Sequence, residues 1–147
     1  EHAAMVDTPA LARLLLLGLT VSGQPAFDAA WGGPEGMYAR RLGPVRAANL
    51  NPFADLVTAG VPVAFGSDSP GTPVDPWAAV RAAVRHGEPG QRLSPAAAFR
   101  ADTAGGRHAA RREGTPFSSQ STRRAGLSRN ARRAAGANAS VAPVRQA

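Results

Sequence analysis

The first 113 residues predict a parallel α/β fold, and the remainder of the chain has a different character. Three observations carry the prediction. Residues 61–65, Val-Pro-Val-Ala-Phe, are apolar throughout, as expected of a strand covered on both faces of a parallel sheet. Capped, proline-started helix signals stand on either side of that run. A Gly66-Ser67-Asp68 turn closes it.

The elements follow in order. Asp7 or Thr8 can cap a helix with Pro9 in its first turn, where a missing N–H costs nothing. Leu11, Leu14 and Leu15 share one face of it, and Gly18 suits its end. Residues 19–22 read as a short strand leading to Gln24-Pro25. Residues 26–50, rich in glycine and aromatics, read as a long loop with a short helix around 37–42. Such loops inside compact domains are functional or disordered. Asn51 caps and Pro52 opens the next helix, whose apolar face is Phe53, Leu56 and Val57. Gly60 can take the left-handed conformation that ends it. Asp75-Pro76 starts another helix, with Trp77, Val80 and Val84 on one face and Arg81 and Arg85 on another. His86 falls at its end, where the helix dipole favours a cation. Ser94-Pro95 caps a last helix through Phe99 to about Thr103. The expected strand connection is right-handed. Two strands alone are marginal in water, so this region wants neighbours.

The length of 147 residues suits one domain, and a start at Glu1 rather than Met reads as a cut edge. All 17 basic residues are Arg, and cysteine is absent, which excludes disulfides and thiolate metal sites. The apolar run 11–19 is far shorter than the roughly 18 residues of a membrane span. It also lacks the basic leader and cleavage pattern of a signal peptide. No membrane association is expected, and the cytoplasm is the default location.

The net charge of +7 suggests nucleic acid until its distribution is read. Residues 1–113 hold 11 Arg and 10 acids, a net of +1, while residues 114–147 hold 6 Arg and no acid. This Arg/Ala/Ser-rich tail has few sizeable apolar groups and one sign of charge, a composition that predicts disorder. Arg123-Arg124 and Arg132-Arg133 could contact phosphate. No aromatic platform or known motif accompanies them, so a basic module binding nucleic acid stays an alternative reading.

Several motifs in register resemble one family. Glu1-His2-Ala3 comes first, then Val21-Ser22-Gly23-Gln24-Pro25-Ala26-Phe27 and Met37-Tyr38-Ala39-Arg40-Arg41-Leu42-Gly43. Asn51-Pro52-Phe53, Ala59 through Pro70 and Thr72-Pro73-Val74-Asp75-Pro76-Trp77 complete the set. Together they resemble the amidohydrolase superfamily, specifically its family 3, the formamide-deformylase-like branch, over residues 1–113. The resemblance implies the C-terminal portion of a metal-dependent hydrolase TIM (β/α)8 barrel. His2 would end strand six, residues 21–24 would form strand seven and residues 61–65 strand eight. It also implies a hydrolase cutting the C–N bond of a small amide or formamide with a water activated by a divalent metal, most simply Zn²⁺.

The resemblance assigns His2 and Asp68 as metal ligands, and gives Asp68 the further catalytic role of taking a proton from the attacking water. Reacting groups in such barrels sit at the C-terminal ends of strands, where Asp68 falls. A neutral imidazole suits zinc, and a carboxylate beside cation and water can take a proton and return it to the leaving nitrogen. Without the resemblance, Asp68 reads as a turn residue and His2 as an exposed terminal residue. Phe27, Asp28, Trp31 and Tyr38 lie on the loop after strand seven. There Phe27, Trp31 and Tyr38 are candidates for substrate contact, with packing onto the barrel as the other reading.

The remaining family ligands, an HxH pair and a strand-five histidine, would belong to a barrel portion preceding Glu1, the expected partner of this stretch. A carboxylated lysine is impossible without lysine. Two ligands fall short of the usual three for catalytic zinc, so firm binding and activity by the isolated chain are not expected, and a non-catalytic remnant is a further alternative. Downstream, Ala104-Gly105-Gly106-Arg107 departs from the family's Arg-Gly-Gly. The sandwich strands expected later are replaced by sequence such as a shifted reading frame of GC-rich DNA would give.

Overall fold

The computed structural model describes residues 1–112, all within one unit, Glu1–Glu113. The Arg-rich tail, with its expected disorder and frame shift, lies outside the described residues. A helix–strand unit occurs twice. Helix α1, Thr8–Leu16, leads to strand β1, Val21–Gly23; helix α5, Phe53–Thr58, leads to β2, Val63–Phe65. The strands pair in parallel, Val21 beside Val63 and Gly23 beside Phe65.

Both helices stop in the same way. Gly18 and Gly60 have φ of +61° and +85°. The following amides, of Leu19 and Val61, donate back to the carbonyls of Leu14 and Leu56 at 2.9 and 3.0 Å. With the Gly18 and Gly60 amides donating to the carbonyls of Leu15 and Val57 at 3.0 and 3.1 Å, this is the double hydrogen bond that closes a helix on a left-handed glycine. It also explains why each strand is shorter than the apolar run suggests. Leu19 and Val61 are engaged by the helix ends, and Pro62 has no N–H to give, so regular pairing begins at Val21 and Val63.

Asp7 caps α1, its carboxylate accepting from the Ala10 amide at 2.8 Å. Asp75 caps α6, Pro76–Val84, by accepting from Ala78 at 2.9 Å. Ser94 caps α7, Pro95–Arg100, through Ala97. Asn51 does not cap α5. Its φ is +54°, its amide donates to the Ala4 carbonyl at 2.8 Å, and its side-chain nitrogen is buried without a partner. Pro52 holds the cap position. The cap comes from a distant residue instead: the Gln91 side-chain oxygen accepts from Ala54 and Asp55 at 3.0 and 3.3 Å, and its Nε2 donates to Asp55.

The expected loop over residues 26–50 is largely helical. It contains the expected short helix, α3, Met37–Leu42, and two that were not expected, α2, Pro25–Trp31, and α4, Pro44–Ala48. Glycines at 32, 33, 36 and 43 divide it into pieces too short to show a period. After α7 the helix widens into a π turn, Ala101–Gly105, and continues as α8, Gly106–Ala109, beyond the expected stop near Thr103.

The core lies between the sheet and helices α5, α6 and α7. Phe53, Leu56 and Ala83 are at most 1% exposed, joined by Val21, Val63, Phe65, Val80, Leu93 and Ala98. Leu11 and Leu14 of α1 pack against it while Leu15 is exposed. Trp77 also departs from expectation: it is 62% exposed and stacks on Phe99, leaving Val80 to face the core. No helix among the described residues is long and apolar enough to cross a membrane.

Candidate metal centre

Parallel pairing sets the C-terminal ends of β1 and β2 side by side, and the predicted site residues gather there. After β2, the turn is tied by the Thr72 hydroxyl donating to the Ser67 carbonyl and by the Gly71 amide donating to Asp68 O at 2.8 Å. Asp68 therefore projects from a fixed loop, at φ +49°. His2 reaches the same place from the other direction. Its segment is held by the buried Gln24, which donates to the Glu1 carboxylate at the end of β1, and by the bond from Asn51 to Ala4. His2 Nε2 lies 3.8 Å from Asp68 Oδ2, with both side chains about half exposed.

Two ligand atoms on adjacent corners of a tetrahedral zinc site, each about 2.0–2.2 Å from the ion, stand roughly 3.3–3.6 Å apart. The His2–Asp68 spacing is a few tenths of an ångström wider. The pair therefore fits two corners of such a site. Among the described residues no third His, Cys, Asp or Glu completes a group able to hold a metal. The chemistry of the donors, one imidazole and one carboxylate, suits a divalent cation, and their number suits half of its shell.

The aromatic candidates form a continuous row leading to this pair. Phe27 stacks on the His2 ring at 5.9 Å and 18° between planes, Trp31 meets Phe27 at 4.6 Å, and Tyr38 meets Trp31 edge-on at 6.2 Å. The row is built by α2 and α3. Phe27 and Trp31 are one helical turn apart on the same face.

Burial, and secondarily the Asp28 carboxylate, raise the Tyr38 phenol above its usual value of 10.0. Tyr38 is the single tyrosine of the sequence, so alkaline absorbance titration reads it alone. The midpoint is expected above 10, and lower in Asp28→Asn, which removes the charge but not the burial. An unchanged midpoint in that variant would contradict the placement of Asp28.

One pair escaped the sequence reading. His86 does not serve as an exposed cation at the end of α6: it is 1% exposed, with its Nε2 3.5 Å from Oδ1 of the buried Asp28. Nothing local announces this. Asp28 accepts from the Gly87 amide across 59 positions of sequence, and such a pairing leaves no spacing pattern to find.

The comparisons with known proteins agree with the fold. The model of the amidohydrolase family matches residues 1–115, and the chain belongs to that family. Two solved structures resemble it, each an uncharacterized metal-dependent hydrolase, from Pyrococcus furiosus and Pyrococcus horikoshii OT3. Each is 29% identical with a TM-score of 0.65, and the likeness covers 76% of this chain. The chain spans 23% of the first structure and 24% of the second. No curated protein matches.

Proposed function

We propose that this chain is the C-terminal catalytic portion of a metal-dependent amidohydrolase that cleaves a C–N bond, of amide or formamide type, with an activated water. The observation that carries the reading is the approach of His2 to Asp68 at the C-terminal ends of parallel strands in a member of this family. The proposal takes the formamide-deformylase-like branch as the nearest subtype, zinc as the cation, a (β/α)8 barrel as the completed fold and the cytoplasm as the location. Metal dependence of the two similar hydrolases supports the cation.

When bound, zinc would lower the pKa of its water to about 7, far below that of bulk water. Within this chain, His2 and Asp68 are the residues that would hold the cation. Asp68 also moves a proton. Its carboxylate takes one from the attacking water and delivers it to the departing nitrogen. Phe27, Trp31 and Tyr38 offer the acyl or side-chain part of a small substrate an aromatic wall. The barrel portion that would complete the ligand set also supplies the natural cover for Leu16, Leu17 and Leu19, exposed at 84%, 70% and 46%.

The DNA preceding the Glu1 codon tests the reading. It should encode an HxH pair and a further histidine. Joined to that stretch, the protein should hydrolyse N-formyl or N-acyl amides with zinc, and Asp68→Asn should lower kcat by on the order of 10²–10⁴. Upstream sequence without those histidines, or an unaffected kcat, rejects it.

A further inference from the structure

The buried Asp28–His86 pair has no part in the mechanism above, yet it joins two segments that the core does not join. α2 packs on α6; Asp28 stands in the middle of α2 and His86 just past the last residue of α6. Asp28 Oδ2 accepts from the Gly87 amide at 2.8 Å. His86 Nδ1 accepts from the Glu88 amide at 3.0 Å. Nδ1 also lies 3.2 Å from the Glu88 carbonyl oxygen, so these contacts fit either tautomer. It is the Asp28 carboxylate, with Oδ1 3.5 Å from Nε2, that favours the proton on Nε2, which is buried and makes no hydrogen bond. The spacing is that of an electrostatic contact just short of a formed hydrogen bond. A buried donor and a buried carboxylate with no other use for these atoms are held to each other, since separating them would strand both.

Local sequence is arranged around the carboxylate. A Cβ on Gly32 would stand 2.3 Å from Asp28 Oδ1 and 2.5 Å from the Asp28 carbonyl. The chain can therefore fold over the end of α2 only with glycine at that place. The residue before Asp28 is Phe27, whose ring stacks on His2 and would lie 3.4 Å from a Cβ at Gly71, in the turn after Asp68.

We propose that Asp28 and His86 are positioning residues: together with the Gly87 amide they clamp α2 to the end of α6 and so hold Phe27 against His2. The functional meaning of the clamp rests on the metal-centre reading, but its geometry does not. Neither residue touches the reacting atoms.

The test is nuclear magnetic resonance of the full 147-residue chain without metal. Wild type should show through-space contact between the Phe27 and His2 rings and between Val21 and Val63. In Asp28→Ala the first contact should be lost and the second kept, and the Gly87 amide should exchange about tenfold faster or more. In Asp28→Asn the Gly87 amide keeps the side-chain oxygen, the new NH₂ faces the ring, and the His86 proton should move from Nε2 to Nδ1, a nitrogen-15 signature that simple loss of packing would not produce. Persistence of the Phe27–His2 contact in Asp28→Ala overturns the proposal. If that variant loses the strand contact as well, wild type decides by itself. A Gly87 amide protected at least about tenfold and an Nε2-protonated His86 uphold the clamp; an unprotected amide or a proton on Nδ1 overturns it. None of these signals depends on zinc, so failure of the clamp and failure of the metal reading are separately visible.

Discussion

Phe53→Ala is expected to destabilise the fold by about 3–5 kcal/mol, the usual cost of deleting a buried phenylalanine. Phe53 is 1% exposed at the start of α5 and meets three parts of the structure at once. Its ring lies edge-on to Phe65 of β2 at 5.2 Å and to His86 at 5.8 Å, and a Cβ on Gly23 of β1 would stand 2.7 Å from it. The truncated site would have to close from both strands and from the end of α6, which are already fixed by backbone bonds. Collapse is therefore poor and the cavity term large. Small domains have only about 5–15 kcal/mol in total, and a unit with a two-stranded sheet stands at the lower end, so little stability should remain. Val57→Ala on the same helix is the control. Val57 is 39% exposed, and its loss should cost well under about 1 kcal/mol. Urea unfolding followed by circular dichroism separates the two; similar midpoints would mean that Phe53 is not the centre of this core.

The ease with which the α/β units could be read has a physical basis in the same residues. Asp7, Asp75 and Ser94 cap their own helices, and Gly18 and Gly60 end theirs, so each signal and its consequence lie within a few residues. The resemblance placed His2 and Asp68 in one ligand set, and the fold brings them to 3.8 Å. Features fixed by distant partners were illegible. Asn51 has the side chain of a helix cap, but its amide is engaged by Ala4, and the cap is supplied by Gln91. His86 sits where an exposed cation would be favoured, and is buried because Asp28 and Phe53 meet it from other segments. Of the helices in residues 26–50 only the one at 37–42 was legible, and α2 and α4 went unseen for another reason. Helices of five to seven residues have fewer than two turns in which to show periodicity, and they form here because α2 finds α6 to pack on.

Gly105 and Gly106 give the second large effect, because adjacent glycines should respond to alanine with opposite signs. The π turn Ala101–Gly105 pushes its last residue onto the back of β2. A Cβ at Gly105 would stand 2.2 Å from the Val63 carbonyl oxygen and 3.0 Å from Ala64 Cα. Both are backbone atoms of a paired strand, so no rotamer change relieves the overlap. Gly105→Ala must displace the turn or the strand, at a cost of about 1–3 kcal/mol or more. The gain in helix propensity from Gly to Ala, up to about 1 kcal/mol, is smaller and does not reverse the sign. At Gly106 nothing lies within 4 Å of the added carbon, and the residue begins α8 with helical dihedrals. There only the propensity term acts, and Gly106→Ala should leave stability unchanged or raise it by up to about 1 kcal/mol. Urea midpoints for the two single variants should move in opposite directions, or move for Gly105 alone. A shared direction would mean that the π turn does not press on β2. The strand that gives way in Gly105→Ala is the one whose far end carries Asp68, so the approach of His2 and Asp68 should loosen with it.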